Sequence, residues 1–232
     1  MKYLSLFLCL FLATGSSGQD LTDATAVVNK YLTAIGGREK LETVKDLIIS
    51  TTADMQGRTM EMETKLKMPD KFKQGTYMMG NEVGGSVYDG ATLSRSMRGQ
   101  QTTKTGKEAF QEFLQNHPFP ELYYDTLGIE KKLAGVVALD GGDAYDVEYS
   151  GNGTTWHEYF DKASGLKVKR TATMESPRGK SEVEVRLGDY KAVNGILFPF
   201  SRTQKFGQFE MTMETQSVKV NKGVDDKQFK IK

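Results

Sequence analysis

Cysteine and histidine are scarce in this sequence, and each shortage excludes a class of chemistry. The 232 residues include one cysteine, Cys9, and two histidines, His117 and His157. A zinc peptidase needs paired histidines at helical spacing together with a glutamate, and no such motif occurs. The Gly-x-Ser-x-Gly nucleophile elbow is also missing. We therefore expect no enzyme activity, no catalytic residues, no metal ligands and no cofactor.

Apolar runs long enough to cross a membrane are missing as well. The one apolar run, residues 4–13, follows Lys2 and precedes the small residues 14–18. It is half the length of a membrane-spanning helix, which takes about 20 residues. A basic start, a short apolar centre and small residues at the cut are typical of a secretory signal peptide. We therefore expect residues 1–18 to be removed, the rest to be exported to the periplasm or secreted, and no integral membrane segment to remain.

A strong net charge is also lacking. Lys2 is the only charged residue of the signal segment, so 30 basic and 30 acidic residues remain after cleavage. This balance argues against nucleic acid as a partner, because nucleic acids select basic surfaces. Loss of Cys9 leaves no disulfide, so the core itself must stabilise the fold. With no Pro-, Gly- or Ser-rich linker, residues 19–232 are predicted to form a single domain.

Alternation of apolar and polar residues is what the sequence has in abundance. In residues 58–68 the apolar positions Met60, Met62, Leu66 and Met68 alternate with the charged positions Glu61, Glu63, Lys65 and Lys67. A period of two predicts a strand with one apolar face and one solvated face. Phe209, Met211 and Met213 repeat the pattern near the end of the chain.

Helical patterns are few and strand patterns are many. Apolar spacing predicts helices over residues 21–35, 38–44 and 107–116. Strand patterns occupy residues 47–55, 58–68, 71–79, 83–88, 91–97, 131–139, 143–149, 154–161, 166–175, 181–193, 196–206 and 208–221. Turn signals such as Asp89-Gly90 and Asn194-Gly195 separate them. The chain is therefore predicted to be mainly β, with one large antiparallel sheet that is curled or closed.

Three short helices are too few to cover the apolar face of so long a sheet, which predicts a cavity. Ten methionines remain after Met1, all of them in predicted strands. Their flexible side chains suit a surface that accepts variable apolar ligands, although ordinary core filling is the alternative for each. The candidate cavity residues are Met60, Met62, Leu66, Met68, Met97, Phe209, Met211 and Met213.

Several short motifs together resemble one known family. Residues 30–45, KYLTAIGGREKLETVK, resemble the opening of periplasmic proteins similar to the outer-membrane lipoprotein carrier LolA, of the Bacteroidetes type. The same segment opens modules appended to secreted insulinase-type metallopeptidases. Further matches are VYDG at 87–90, YFD at 159–161 followed by Gly165-Leu166, GDY at 188–190 and NGILFP at 194–199.

The resemblance implies a curved, unclosed antiparallel half-barrel with helices covering its concave face. It also implies that lipid or lipoprotein acyl chains bind between sheet and helices, in a role such as lipoprotein sorting or outer-membrane biogenesis. The alternative hypothesis is an envelope protein-interaction or stress-sensor module without ligand transport. In that case the aromatic loop at 119–124 would dock a protein partner, with Phe119 and Tyr123 as the candidate residues.

Overall fold

The computed structural model describes residues 20–55, 58–151, 153–176 and 179–231. The predicted signal peptide lies outside these residues, as does the predicted turn at 56–57. The three α-helices are α1 (Ala24–Ala34), α2 (Arg38–Glu42) and α3 (Gly106–Asn116), with short 3-10 helices at Pro120–Leu122 and Asp226–Phe229. None of the helices in the described ranges has the length and apolar composition that a membrane crossing requires.

Thirteen strands of the described residues form one antiparallel sheet. They are β1 (Asp46–Met55), β2 (Arg58–Lys67), β3 (Lys71–Met78), β4 (Asn81–Tyr88), β5 (Thr92–Met97), β6 (Gln100–Thr105), β7 (Glu130–Leu139), β8 (Gly142–Gly151), β9 (Thr154–Asp161), β10 (Lys167–Ser176), β11 (Gly179–Val193), β12 (Ile196–Phe206) and β13 (Phe209–Val220). Their order is β6-β5-β4-β3-β2-β1-β13-β12-β11-β10-β9-β8-β7, so β6 and β7 are the two edges and the sheet does not close. This confirms the predicted mainly β, curved and unclosed half-barrel.

The side chains of β2 alternate between the two faces of the sheet, as their sequence pattern predicts. Leu66 lies opposite Leu47 of β1 and is 1% exposed, on the concave face that meets the helices. On the other face Glu63 forms an ion pair with Lys65 at 3.0 Å, and Lys67 forms one with Asp226 at 2.6 Å. The period of two therefore separates a core face from a charged outer face.

Two helices cover the concave face at opposite sides of the sheet. Asp23 caps α1 by accepting a hydrogen bond from the Ala26 amide at 2.9 Å, and the ring of Tyr31 then packs 5.3 Å from that of Phe160 in β9. At the other side, Phe113 of α3 stacks 5.1 Å from Tyr88 in β4. The middle strands between these contacts are the part of the sheet with the least helical cover.

The two edge strands differ from the rest. The sequence prediction missed β6, because its residues, QQTTKT, are all polar and all exposed, which removes the apolar signal on which strand prediction depends. β7 has alternating exposure, and its pairing with β8 shifts register between Leu133 and Gly135, where Gly135 has φ +152°. A register shift of this kind bends a strand.

Candidate functional site

A cleft lies on the concave face between the parts that α1 and α3 cover. It consists of two adjoining cavities with volumes of about 220 Å³ and 670 Å³. The smaller lies between the middle strands and residues 114–120, and the larger lies over β9 to β12 on the other side of α3. The residues that line both cavities mark their junction: Leu114, Gln115, Arg170, Val185 and Arg202.

The walls of the cleft are mainly apolar. In the smaller cavity they include Ile49, Met62, Leu187, Phe198, Met213 and Val218. In the larger cavity they include Ile129, Trp156, Ala172 and Val183. Asp189, whose φ is +50°, bends β11 so that Leu187 and Tyr190 both face the smaller cavity although they are three positions apart. Such a surface suits a ligand that is itself largely apolar.

A buried charged network lies beside the junction. Glu158 of β9 is directly opposite Arg170 of β10, with 4.0 Å between Oε1 and Nε. Lys167 Nζ lies 3.5 Å from Glu158 Oε2 and forms an ion pair with Glu121. A register shift between Lys167 and Lys169 turns both Lys167 and Arg170 to the concave face, which a regular strand would not do.

The network fixes the 3-10 helix Pro120–Leu122 to the sheet. Burial raises the pKa of Glu121 to about 7, because desolvation of the carboxylate outweighs the contact with Lys167. Burial lowers the pKa of Lys167, but Glu121 and Glu158 more than offset this and leave it raised, so the ammonium stays charged. Tyr124 donates a hydrogen bond to Glu158 Oε1 at 3.2 Å, and Tyr190 donates one to the Lys167 carbonyl at 2.7 Å.

The side chain of Arg202 stands apart from this network. It lies on β12 opposite Leu187 and is partly buried where the two cavities meet. Among the described residues its Nε has no hydrogen-bond acceptor, and neither does the Nε of Arg170 or the Nε1 of Trp156. The Arg170 guanidinium lies 5.6 Å from the centre of the Trp156 ring. Within the part of the chain that the structure describes, these three N–H groups therefore make no hydrogen bond at the junction, although Arg170 keeps Glu158 as an ion-pair partner.

Two of the eight candidate cavity residues line the cleft. Met62 and Met213 contribute to the smaller cavity. Met60 lies beyond it, in a small cluster with Ala53 and Met213 against which Met211 also packs.

The other four candidates lie elsewhere. Leu66 is part of the main core and Met68 packs against it, with its sulfur 3.1 Å from His117 Nε2. Met97 and Phe209 are 62% and 52% exposed. A ligand-binding role for all eight candidates stays a prediction.

The two aromatic residues proposed for partner docking have different surroundings. Phe119 is 2% exposed, lies 5.6 Å from the ring of Phe198 and faces the smaller cavity. Tyr123 is partly exposed and meets the His117 ring edge-on at 5.1 Å. Docking by this loop also stays a prediction.

The charged residues of the cleft are the functional candidates that sequence reasoning missed. Lys167, Arg170 and Arg202 line the cleft, and Glu121 and Glu158 lie beside it against Lys167. One signal was available: Glu158 occupies the same face of its strand as Trp156 and Phe160, so a carboxylate stands among apolar positions. Within the described ranges, no group of three or more His, Cys, Asp or Glu side chains is placed to hold a metal ion.

Comparison with known proteins identifies the fold. A DUF1329 family protein from Desulfovibrio piger matches with a TM-score of 0.59 at 10% sequence identity, over 89% of this chain and 96% of that one. A LolA superfamily protein from Nitrosomonas europaea matches with a TM-score of 0.60 at 12% identity, over 91% of this chain and 99% of that one. No family model matches the sequence, and no curated protein does. The chain therefore has a LolA-like fold.

Proposed function

We propose that this LolA-like chain is a non-catalytic binding protein that holds a lipid or an acyl chain of a lipoprotein in the cleft. The observation that carries the proposal is the pair of adjoining cavities, about 220 Å³ and 670 Å³, where the helices leave the sheet uncovered. Ligand sites in proteins have volumes of roughly 300–1,000 Å³. Their apolar walls suit a hydrocarbon chain.

Burial of an apolar ligand can supply binding energy without any polar sequence motif. Burying a hydrocarbon chain contributes about 0.8 kcal/mol per methylene group. Affinity of this kind needs no polar motif, which is consistent with the absence of any recognisable one. The flexible side chains of Met62 and Met213 can adapt to different chains in the smaller cavity.

The proposal extends to the compartment and the role of the protein. We propose that residues 1–18 direct export, that residues 19–232 act as one domain, and that the protein works in the periplasm or outside the cell. The sequence motifs support a relationship to the Bacteroidetes-type proteins and to the modules beside insulinase-type peptidases. Lipoprotein sorting or outer-membrane biogenesis would be the corresponding process.

Filling the cleft tests the proposal. Val185 lines both cavities, so Val185→Phe should occupy the junction and lower the affinity for the neutral apolar dye N-phenyl-1-naphthylamine roughly tenfold, an amount equal to about 1.4 kcal/mol. Dye fluorescence would be titrated with purified protein. Glu182→Phe places the same side chain on the same strand but at an exposed outer position, so it should bind the dye as the wild type does.

Native mass spectrometry with a lipid extract provides a second readout. The wild type should carry or take up apolar ligands that Val185→Phe does not. A wild type that shows neither saturable dye binding nor lipid uptake would exclude the proposed function. Dye binding by Val185→Phe that is as tight as that by Glu182→Phe, or tighter than that by the wild type, would also exclude it.

The protein-docking alternative depends on the partly exposed Tyr123. A Tyr123→Ala variant that binds the dye normally but loses a partner from envelope extracts would favour it. Retention of all partners would count against it.

A further inference from the structure

The charges at the junction of the two cavities do not balance. Two carboxylates, Glu121 and Glu158, lie near the two cations Lys167 and Arg170. Arg202 adds a third cation for which the described residues supply no ion pair. Burial raises the pKa of Glu121, which favours its neutral form and adds to the positive surplus.

Arg202 cannot avoid the cost of its buried charge by losing its proton. Burial, together with the positive charge of Arg170, lowers the pKa of its guanidinium, but the ordinary pKa of a guanidinium is so high that the group remains charged near neutral pH. A partly buried cation without a partner is costly, and an anion placed beside it removes that cost. The surroundings of Arg202 therefore favour a ligand that brings negative charge into the cleft.

The donors at the junction specify where that charge would lie. Arg170 and Arg202 line both cavities, and Val185 between them lies opposite Arg170 on one side and Gln204 on the other. Arg202 lies opposite Leu187, two residues along from Val185, so the two arginines are two strands and two residues apart. Their Cα atoms are then about 12 Å apart, a distance across which two long side chains can converge on one group. Guanidinium groups match the oxygen atoms of carboxylates and phosphates better than any other side chain.

We infer that the cleft selects amphiphiles with an anionic head, a carboxylate or a phosphate monoester, whose head is held by Arg202 and Arg170 while the hydrocarbon chain lies along the apolar walls. This inference rests on the proposed function and names its ligand class. The head lies at the junction, so the chain has a cavity on either side: the smaller towards Met213 and the larger towards Trp156.

The test compares three probes with the same twelve-carbon chain. Dodecanoate, dodecyl phosphate and dodecan-1-ol compete at pH 8 with bound N-phenyl-1-naphthylamine, which is uncharged. At least one of the two anions should displace the dye from the wild type at a concentration roughly tenfold or more below that of the alcohol. The tighter of the two anions identifies the head group.

Variants then assign the preference to Arg202. Arg202→Gln should reduce the anion preference to within about threefold and change dodecan-1-ol binding less than about twofold. Arg202→Lys keeps the positive charge but not the planar guanidinium, so it should retain part of the preference, more than Arg202→Gln does. Arg186→Gln, on the outer face of the neighbouring strand, is the control and should retain all of it. A thermal-denaturation series should show the same order of probes for the wild type.

The outcomes separate the two proposals. Dye binding without any preference for the anions overturns this inference and leaves the proposed function standing. An equal loss of all three probes in Arg202→Gln, with dye binding intact, also overturns it. Absence of dye binding by the wild type overturns the proposed function and this inference with it.

Discussion

The covered and uncovered parts of the concave face have the same sequence pattern but different packing. Under α1, Val147 of β8 and Phe160 of β9 are 0% and 1% exposed. In the cleft, Val185 and Leu187 of β11 occupy the same inward positions and are only partly buried. Alternation therefore specifies which way a side chain faces, but the position of the helices decides whether it is packed.

The covered and uncovered parts also differ in how their charged side chains are paired. Beside the covered part, Lys167 lies near two carboxylates, and Tyr124 donates a hydrogen bond to one of them. In the cleft, the charged neighbour that lowers the pKa of Arg202 is another cation, Arg170. The cation that the two carboxylates do not pair is therefore the better indicator of a binding site.

The largest expected effect comes from a substitution that disrupts the packing of the covered part. Val147→Ala removes two methyl groups from a fully buried position and should lower the free energy of unfolding by about 2 kcal/mol or more. The same substitution at Val185, where part of the side chain already faces the cleft, should cost less than about 1 kcal/mol. Urea denaturation measures both. Equal losses in the free energy of unfolding would mean that the covered and uncovered parts are packed alike.

The next effect sharpens the contrast in charge. Arg202→Met replaces a cation that has no ion-pair partner among the described residues with a shorter, apolar side chain. It should raise the free energy of unfolding of the ligand-free protein by about 1 kcal/mol. Lys205→Met, at an exposed position of the same strand, should change it by less than about 0.5 kcal/mol. If urea denaturation shows that Arg202→Met is less stable than the wild type, the absence of a partner for Arg202 among the described residues is contradicted.

The last effect depends on pH and concerns the border between the two parts, where His117 follows α3. Burial lowers its pKa from 6.5 to about 3, although its Nδ1 accepts a hydrogen bond from the Phe119 amide at 3.0 Å. Below pH 6.5 the unfolded chain takes up this proton and the folded chain does not. The contribution of neutral His117 is therefore complete above pH 6.5 and is lost as the pH falls towards 3, by at most about 1.4 kcal/mol per pH unit.

Denaturation at several pH values between 7 and 4 measures this slope. His117→Gln keeps a hydrogen-bond acceptor but does not titrate, so its stability should fall less steeply than that of the wild type. Identical slopes for the two proteins would show that His117 is not the buried titrating group.

Most of the fold could be predicted from the sequence because strands with one buried face carry a strong local signal. The alternation in residues 58–68 predicted β2, and Phe113 with Ala109 predicted α3. The exception, β6, has no buried face and therefore no such signal.

The site was predictable only in part. Met62 and Met213 line the cleft as their strands suggested, whereas Met97 and Phe209, which have the same local pattern, are exposed near the edge or the end of a strand. The junction of Arg170 and Arg202 depends on the pairing of three strands and on the register shift at Lys167. Neither is a property of any short stretch of sequence.

The two edges of the open sheet have a consequence for self-association. An unclosed sheet offers backbone donors and acceptors to a strand from a second molecule at each edge. Here one edge, β6, is six polar residues long and lies beside α3, and the other, β7, is bent at Gly135. Short, polar or bent edges pair poorly with incoming strands. The half-barrel can therefore keep its concave face open without growing, molecule by molecule, into a continuous fibre.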